Sequence, residues 1–224
     1  MKNMMIRWSL SMVALGFVFN LNAQSFEGVI TYKITYENLP EEMAPYASML
    51  PSQSITTMKG EMTKLEQPLS MGMKQTTIMD NAAETGVMLM DMMGQKMAVV
   101  LDQESRKEMR GEDDVPDFEY VNETKNIAGY DCKKAIMRVE EDGQEIVLEI
   151  YYTDKLTSSK NSSLPGLKGF PLKYSTSTGQ FIMTLEAESV EKRKVSEDEF
   201  SIPDGYTHMD FNEFQKTMGA MGGE

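Results

Sequence analysis

From Phe26 to Tyr36 the chain alternates. Phe26, Gly28, Ile30, Tyr32, Ile34 and Tyr36 fall on one side, and Glu27, Thr31, Lys33, Thr35 and Glu37 on the other. Successive side chains of a strand point to opposite faces, so a period of two marks a strand with one face buried and the other in water. The alternation returns over 144–152, where Ile146, Leu148, Ile150 and Tyr152 oppose Glu145 and Glu149. It returns again over 180–190, where Phe181, Met183, Leu185 and Ala187 oppose Gln180, Thr184, Glu186 and Glu188. Turn signals, Glu141-Asp142-Gly143 and Ser177-Thr178-Gly179, stand before these two stretches. Further strands are predicted over 53–59, 61–66, 74–80, 84–93, 95–102, 117–122, 131–140 and 170–175, a meander of ten or eleven strands whose neighbours pair antiparallel.

One hairpin departs from the half-buried pattern. Val87, Leu89 and Met93 lie on one side and Met88, Met90 and Met92 on the other; after the turn at Gly94-Gln95, Met97, Val99 and Leu101 oppose Ala98 and Val100. A hairpin apolar on both faces must be covered on both, or must line a cavity. An antiparallel sheet curling around an apolar interior meets that requirement.

Helix is scarce. Pro40, Glu41 and Glu42 followed by Tyr46, Met49 and Leu50 at helical spacing predict one short helix after the first strand, ending at Pro51. Phe211 and Phe214 behind a capping Asp210 predict a second over 210–218. The acidic run Glu112-Asp113-Asp114 reads as a solvated loop, and 219–224 as a disordered tail. The expected fold is mainly β: a single antiparallel curved sheet, a half-barrel, with one or two short helices, in one domain over 24–218. The length of 224 residues accords with one domain, since domains run to roughly 100–200 residues.

The first 23 residues belong to a different kind of segment. Lys2 and Arg7 precede an apolar stretch from Trp8 to Phe19, and Ala23 ends a short polar region. This is the layout of a secretory signal peptide, expected to be cut after Ala23, and it addresses the chain to the periplasm or beyond. The stretch is shorter than the ~20 apolar residues of a spanning helix, and no later segment is a better candidate, so no integral membrane span is expected. The first mature position carries no lipidated Cys.

Charge then narrows the partners. Without the leader, 20 basic side chains stand against 35 acidic ones, a net charge of −15. Binding nucleic acid or an anionic bilayer through charge requires clustered Lys and Arg, so neither is expected. The single Cys, Cys132, has no partner for an internal disulfide.

Several blocks carry a resemblance: Asn126-Ile-Ala-Gly-Tyr-Asp-Cys-Lys-Lys-Ala135, Ile150-Tyr-Tyr-Thr-Asp154, Leu164-Pro-Gly-Leu167, Gly169-Phe-Pro-Leu172 and Phe200-Ser-Ile-Pro-Asp-Gly-Tyr206. Together they resemble an uncharacterised family of exported Gram-negative envelope proteins, a domain of unknown function, with the Gly-Tyr-x-Cys-Lys-Lys block as the most specific part. At one remove the chain is similar to lipoprotein-carrier half-barrels of the LolA, LolB and LppX type. That second resemblance implies an apolar cavity for acyl chains between a curved sheet and helices.

Catalytic motifs are absent from the sequence. It contains no Gly-x-Ser-x-Gly elbow, no His-Glu-x-x-His, no Cys-x-x-Cys and no phosphate-cradling Gly-rich loop, and no cofactor is expected. His208, the only His, reads as a surface residue rather than the base of a dyad with Cys132. Cys132 reads as a buried structural thiol, with pairing between two chains as the other reading.

The methionines are the oddest feature, 18 of them beyond the leader. Three readings compete. Met is an adaptable core filler; it suits a cavity that accepts floppy chains; and its soft thioether suits Cu(I), for which Met88, Met90 and Met92 share one strand face. Missing His and Cys partners place copper last. The expected function is therefore non-catalytic binding of a hydrophobic small molecule or lipid, with Met88, Met90, Met92, Met97, Phe181, Met183 and Leu185 lining the cavity. The alternatives are a Cu(I)-binding envelope protein and a module pairing with another envelope protein through sheet edges.

Overall fold

The computed structural model describes residues 25–92, 94–110, 116–141, 143–156, 164–177 and 180–221. The expected leader, the acidic run 112–114 and residues 222–224 lie outside the described residues. Twelve strands form one open sheet: β1 Gly28–Glu37, β2 Gln53–Lys59, β3 Met62–Pro68, β4 Lys74–Asp80, β5 Thr85–Met92, β6 Gln95–Leu101, β7 Phe118–Ile127, β8 Tyr130–Glu141, β9 Gln144–Thr153, β10 Phe170–Ser177, β11 Ile182–Lys192 and β12 Thr207–Asp210. Their order is β12-β6-β5-β4-β3-β2-β1-β11-β10-β9-β8-β7. Every neighbouring pair is antiparallel except β12, which lies parallel to β6.

Hairpin chemistry accounts for most of this order. At the turn between β7 and β8, Ala128 and Gly129 both have positive φ (48° and 83°), as a two-residue turn matched to the strand twist requires. Glycine serves the second of these at no steric cost, whereas Ala128 accepts strain. β7 runs on to Ile127, beyond the expected end at 122, because a bulge between Val121 and Thr124 lets the pairing with β8 resume.

Eleven strands follow the predicted segments, and four elements differ. The helix expected after β1 is a 3-10 helix over Glu41–Met49, with Pro45 inside it and no buried residue. Tyr46 is 60% exposed, so the apolar spacing there forms no packing face. A short helix α1, Gln103–Arg110, was not predicted, and neither was β12. α2 occupies Phe211–Met221, with Asp210 Oδ1 accepting from the Glu213 amide at 2.7 Å, so the helix takes in 219–221, expected as tail.

The apolar hairpin β5–β6 is covered on both faces. On one, Ile78, Val87, Leu89 and Ala98 pack with Phe200, Ile202 and Tyr206 from the segment after β11. That segment is pinned by a two-pronged pair from Arg193 to Glu199 (2.9 and 2.7 Å) and by a capping box in which Ser196 opens the 3-10 turn Glu197–Phe200. On the other face, Met88, Val99 and Leu101 pack under Phe211 and Phe214 of α2. α1 closes the base: its Arg106, 5% exposed, donates to the carbonyls of Asp80 (3.1 Å) and Thr85 (3.4 Å) and to Asn81 Oδ1 (3.2 Å).

The main core lies around β1. Ile30, Tyr32, Ile34, Leu172, Leu185 and Ala187 are buried together, and the Tyr32 hydroxyl donates to the Pro171 carbonyl at 3.0 Å. A neighbouring cluster holds Ala135, Met137, Leu148, Ile150 and Tyr152. Around them β7–β11 carry ion pairs: Lys134 to Glu149 (2.5 Å), Arg138 to Glu119 (2.6 Å), and Lys125 and Lys173 to Glu186 (2.8 and 3.0 Å).

Candidate functional site: a methionine patch and a basic cleft

The register decides which of the expected cavity residues meet. Met88 stands opposite Val99 and Met90 opposite Met97, so Met88, Met90 and Met97 share one face of β5–β6. Met79 and Met209 join them there, under Phe211 and Phe214, whose ring centroids are 6.5 Å apart. The Gln75 amide donates to Met88 Sδ at 3.7 Å. Met88 is 8% exposed and Val99 fully buried, so the patch is packed beneath α2 rather than open. Met92 is the last residue of β5, and its side chain lies outside what is described.

Phe181, Met183 and Leu185 are elsewhere on the same face. Met88 faces Thr77, Thr77 faces Leu65, Leu65 faces Thr56 and Thr56 faces Ile30. Ile34, on the Ile30 side of β1, faces Leu185, and Tyr36 faces Met183. Five strand steps at ~4.8 Å each separate the two groups. The structure therefore does not bring the seven residues into one enclosed site. Thr56, Leu65 and Thr77, all half-buried, lie between two apolar ends. Phe181 meets Tyr36 edge-on at 5.7 Å, and Leu185 is buried in the main core.

Cys132 is fully buried, and its thiol contacts the Tyr130 carbonyl at 3.5 Å. Burial, reinforced by the Asp131 carboxylate, pushes the thiol up to about 11, so the nucleophilic thiolate is disfavoured at neutral pH. His208 is exposed on β12, at one edge of the sheet, while Cys132 lies on β8, next to the other edge. The two do not meet. Among the described residues no group of His, Cys, Asp and Glu is arranged to hold a metal ion.

A cleft of about 380 Å³ opens where β1 begins and β11 ends. Phe26, 5% exposed, forms its apolar floor, and Lys155, Lys192, Arg193 and Lys194 stand around it, with Glu27 as the one carboxylate in the lining. Glu27 fastens the segment that follows β11: its carbonyl accepts from the Arg193 amide at 3.3 Å and its carboxylate from the Val195 amide at 2.7 Å. These residues escaped the sequence reading. Their signal is the run Lys192-Arg193-Lys194 in a strongly acidic chain.

This is an open, curved, mainly antiparallel sheet of twelve strands with short helices. The chain belongs to the family described as Domain of unknown function (DUF4412), whose model matches residues 26–206. No curated protein matches it. Among solved structures it is similar to PNGF-II, at 18% identity and a TM-score of 0.52, over 87% of this chain and 33% of that one. The chain thus spans about a third of that structure's length, and the likeness is one of fold. No helix of the described residues is long and apolar enough to cross a membrane.

Proposed function

We propose that the mature protein, exported through its leader, is a non-catalytic carrier that binds a hydrophobic ligand, a lipid or acyl chain, on the face of the sheet that bears Met88, Met90 and Met97. What carries the reading is the gathering of four methionines from three strands, Met79 of β4, Met88 and Met90 of β5 and Met209 of β12, beneath helix α2. Thioether chains are unbranched and repack at low cost, so a Met-rich patch under one detachable helix can accept a flexible apolar guest. Displacing α2 would open the patch onto the half-buried strip of Thr77, Leu65 and Thr56, which leads toward the aromatic end at Tyr36 and Phe181. The arrangement is similar in kind to carrier half-barrels, in which a curved sheet and helices hold acyl chains.

Native mass spectrometry of the protein purified without detergent should retain an acyl-lipid mass, and a fluorescent fatty acid should bind. Replacing Met88, Met90 and Met92 by Leu conserves volume and apolarity, costs below about 1.5 kcal/mol per site, and should leave fatty-acid binding intact. Met90→Asp puts an unpaired charge into the patch and should abolish it. Cu(I) binding that disappears in the Leu variant, with no fatty acid bound by the parent, would replace the carrier reading with the copper one. A parent protein that binds neither would leave the methionines as core alone.

A further inference from the structure

We propose that the cleft at the start of β1 and the end of β11 is a binding site for a phosphate-class oxyanion, held by Lys155, Lys192 and Lys194. Charge is the first reason. In a mature chain with 35 acidic and 20 basic side chains, a lysine ordinarily finds a carboxylate, as Lys64, Lys74, Lys125, Lys134 and Lys173 do. Lys155, Lys192 and Lys194 have no ion pair among the described residues, yet all three line one cleft. Like charges gathered against the average of the molecule repel one another, and an anion shared between them relieves that cost.

The second reason is that the backbone is already set. Arg193 is satisfied by Glu199 through both nitrogens, so its charge is spent on fixing the segment. The Glu27 carboxylate is engaged by the Val195 amide. Gly28 permits the close approach that shapes the cleft: a Cβ there would fall 2.1 Å from the Glu191 carbonyl oxygen and 2.9 Å from the Phe26 ring. Two clamps thus fix the backbone on either side of Lys192 and Lys194, while the three lysine side chains make no ion pair among the described residues. Three compact donors match an anion with three or more acceptor oxygens and a double charge, which a phosphate group supplies and a simple carboxylate does not.

The phosphate can be free or the headgroup of a lipid, and the experiment separates them. Inorganic phosphate is titrated calorimetrically at low ionic strength, and binding to phosphatidylcholine vesicles containing phosphatidic acid, whose monoester headgroup carries three terminal oxygens and up to two charges, is measured by co-sedimentation. The parent protein is compared with Lys192→Gln/Lys194→Gln and with Lys155→Gln, all checked for an unchanged far-ultraviolet spectrum. Binding of inorganic phosphate, weakened about tenfold or more in the double variant and declining with salt, supports the free anion. Binding to vesicles alone, lost in the same variant, supports the headgroup. Absence of both, binding untouched by the substitutions, or acetate binding as tightly as phosphate would overturn the site. The fluorescent fatty acid serves as a separate readout. Its binding should be unchanged in the Lys variants, so failure here is distinct from failure of the carrier reading.

Discussion

The hairpin β5–β6 and the strands β7–β11 solve the same burial problem in opposite ways. In β7–β11 the chain keeps one face for the core it shares with β1 and lays charged pairs over the rest, so those strands are held by their neighbours in the sheet and need no separate cover. β5–β6 is apolar on both faces and borrows both covers from the last thirty or so residues, the segment carrying Phe200, Ile202 and Tyr206 on one side and α2 on the other. A strand written with alternation can be stabilised by its neighbours in the sheet. A strand written without it depends on a distant part of the chain.

Removing 207–224 should break this difference open most. Without β12 and α2, amide hydrogen exchange should rise sharply in β4–β6 while β8–β11 stay protected; uniform loss of protection would show that the two regions unfold as one unit. Phe211→Ala acts on the same cover by a single side chain and should cost up to about 3–5 kcal/mol in denaturant unfolding, again with exchange increasing first in β5 and β6. Arg106→Met strips three hydrogen bonds from the turn between β4 and β5 and should cost about 1–3 kcal/mol, read as a lower urea midpoint. On the other side, Tyr32→Phe leaves the Pro171 carbonyl without its donor and should cost about 1 kcal/mol, with protection lost around β1 and β10 and not around β5.

Acid should sharpen the comparison more gently. The Arg193 guanidinium, aided by the Ser196 amide, holds the Glu199 carboxyl down to about 2, against 4.5 for an ordinary glutamate. A carboxyl depressed by folding contributes stability that is present above about pH 4.5 and is lost as the pH falls toward 2. Exchange in the segment after β11 should therefore increase over that window, and Glu199→Gln should flatten the dependence.

Alternation made most of the sheet legible. Strands β2 and β4 coincide with the segments read from sequence, Gln53–Lys59 and Lys74–Asp80. β12 was illegible for a physical reason: four residues, Thr207–Asp210, form a strand only because β6 offers an edge, and nothing local encodes that. α1 was missed because Gln103–Arg110 carries no apolar stripe; its anchor is the buried guanidinium of Arg106, which sequence reading takes for a solvated charge. Parity places Met88 and Met90 on one side of β5, but it is the register of β5 with β6 that sets Met97 beside Met90, and the distance from Met90 to Met183 depends on strand order, which parity does not contain. The Cys132 burial was legible from residue type. The basic cleft depends on which strand ends lie side by side, and only the run at 192–194 pointed toward it.

The parallel pairing of β12 with β6 sets a timetable. Thr207 docks beside Met97, so the edge that seals the hairpin is made from chain about a hundred residues further on, which becomes available for folding only after the hairpin itself. In the interval β5–β6 presents two greasy faces and an unpaired edge, the kind of exposure that seeds aggregation and recruits chaperones. Long loop closure makes this the slow step, and folding cannot finish from the N-terminal side, however fast the local hairpins form. The stretch that follows β11 acts as the clasp, and a chain clipped before it would be the species most in need of rescue.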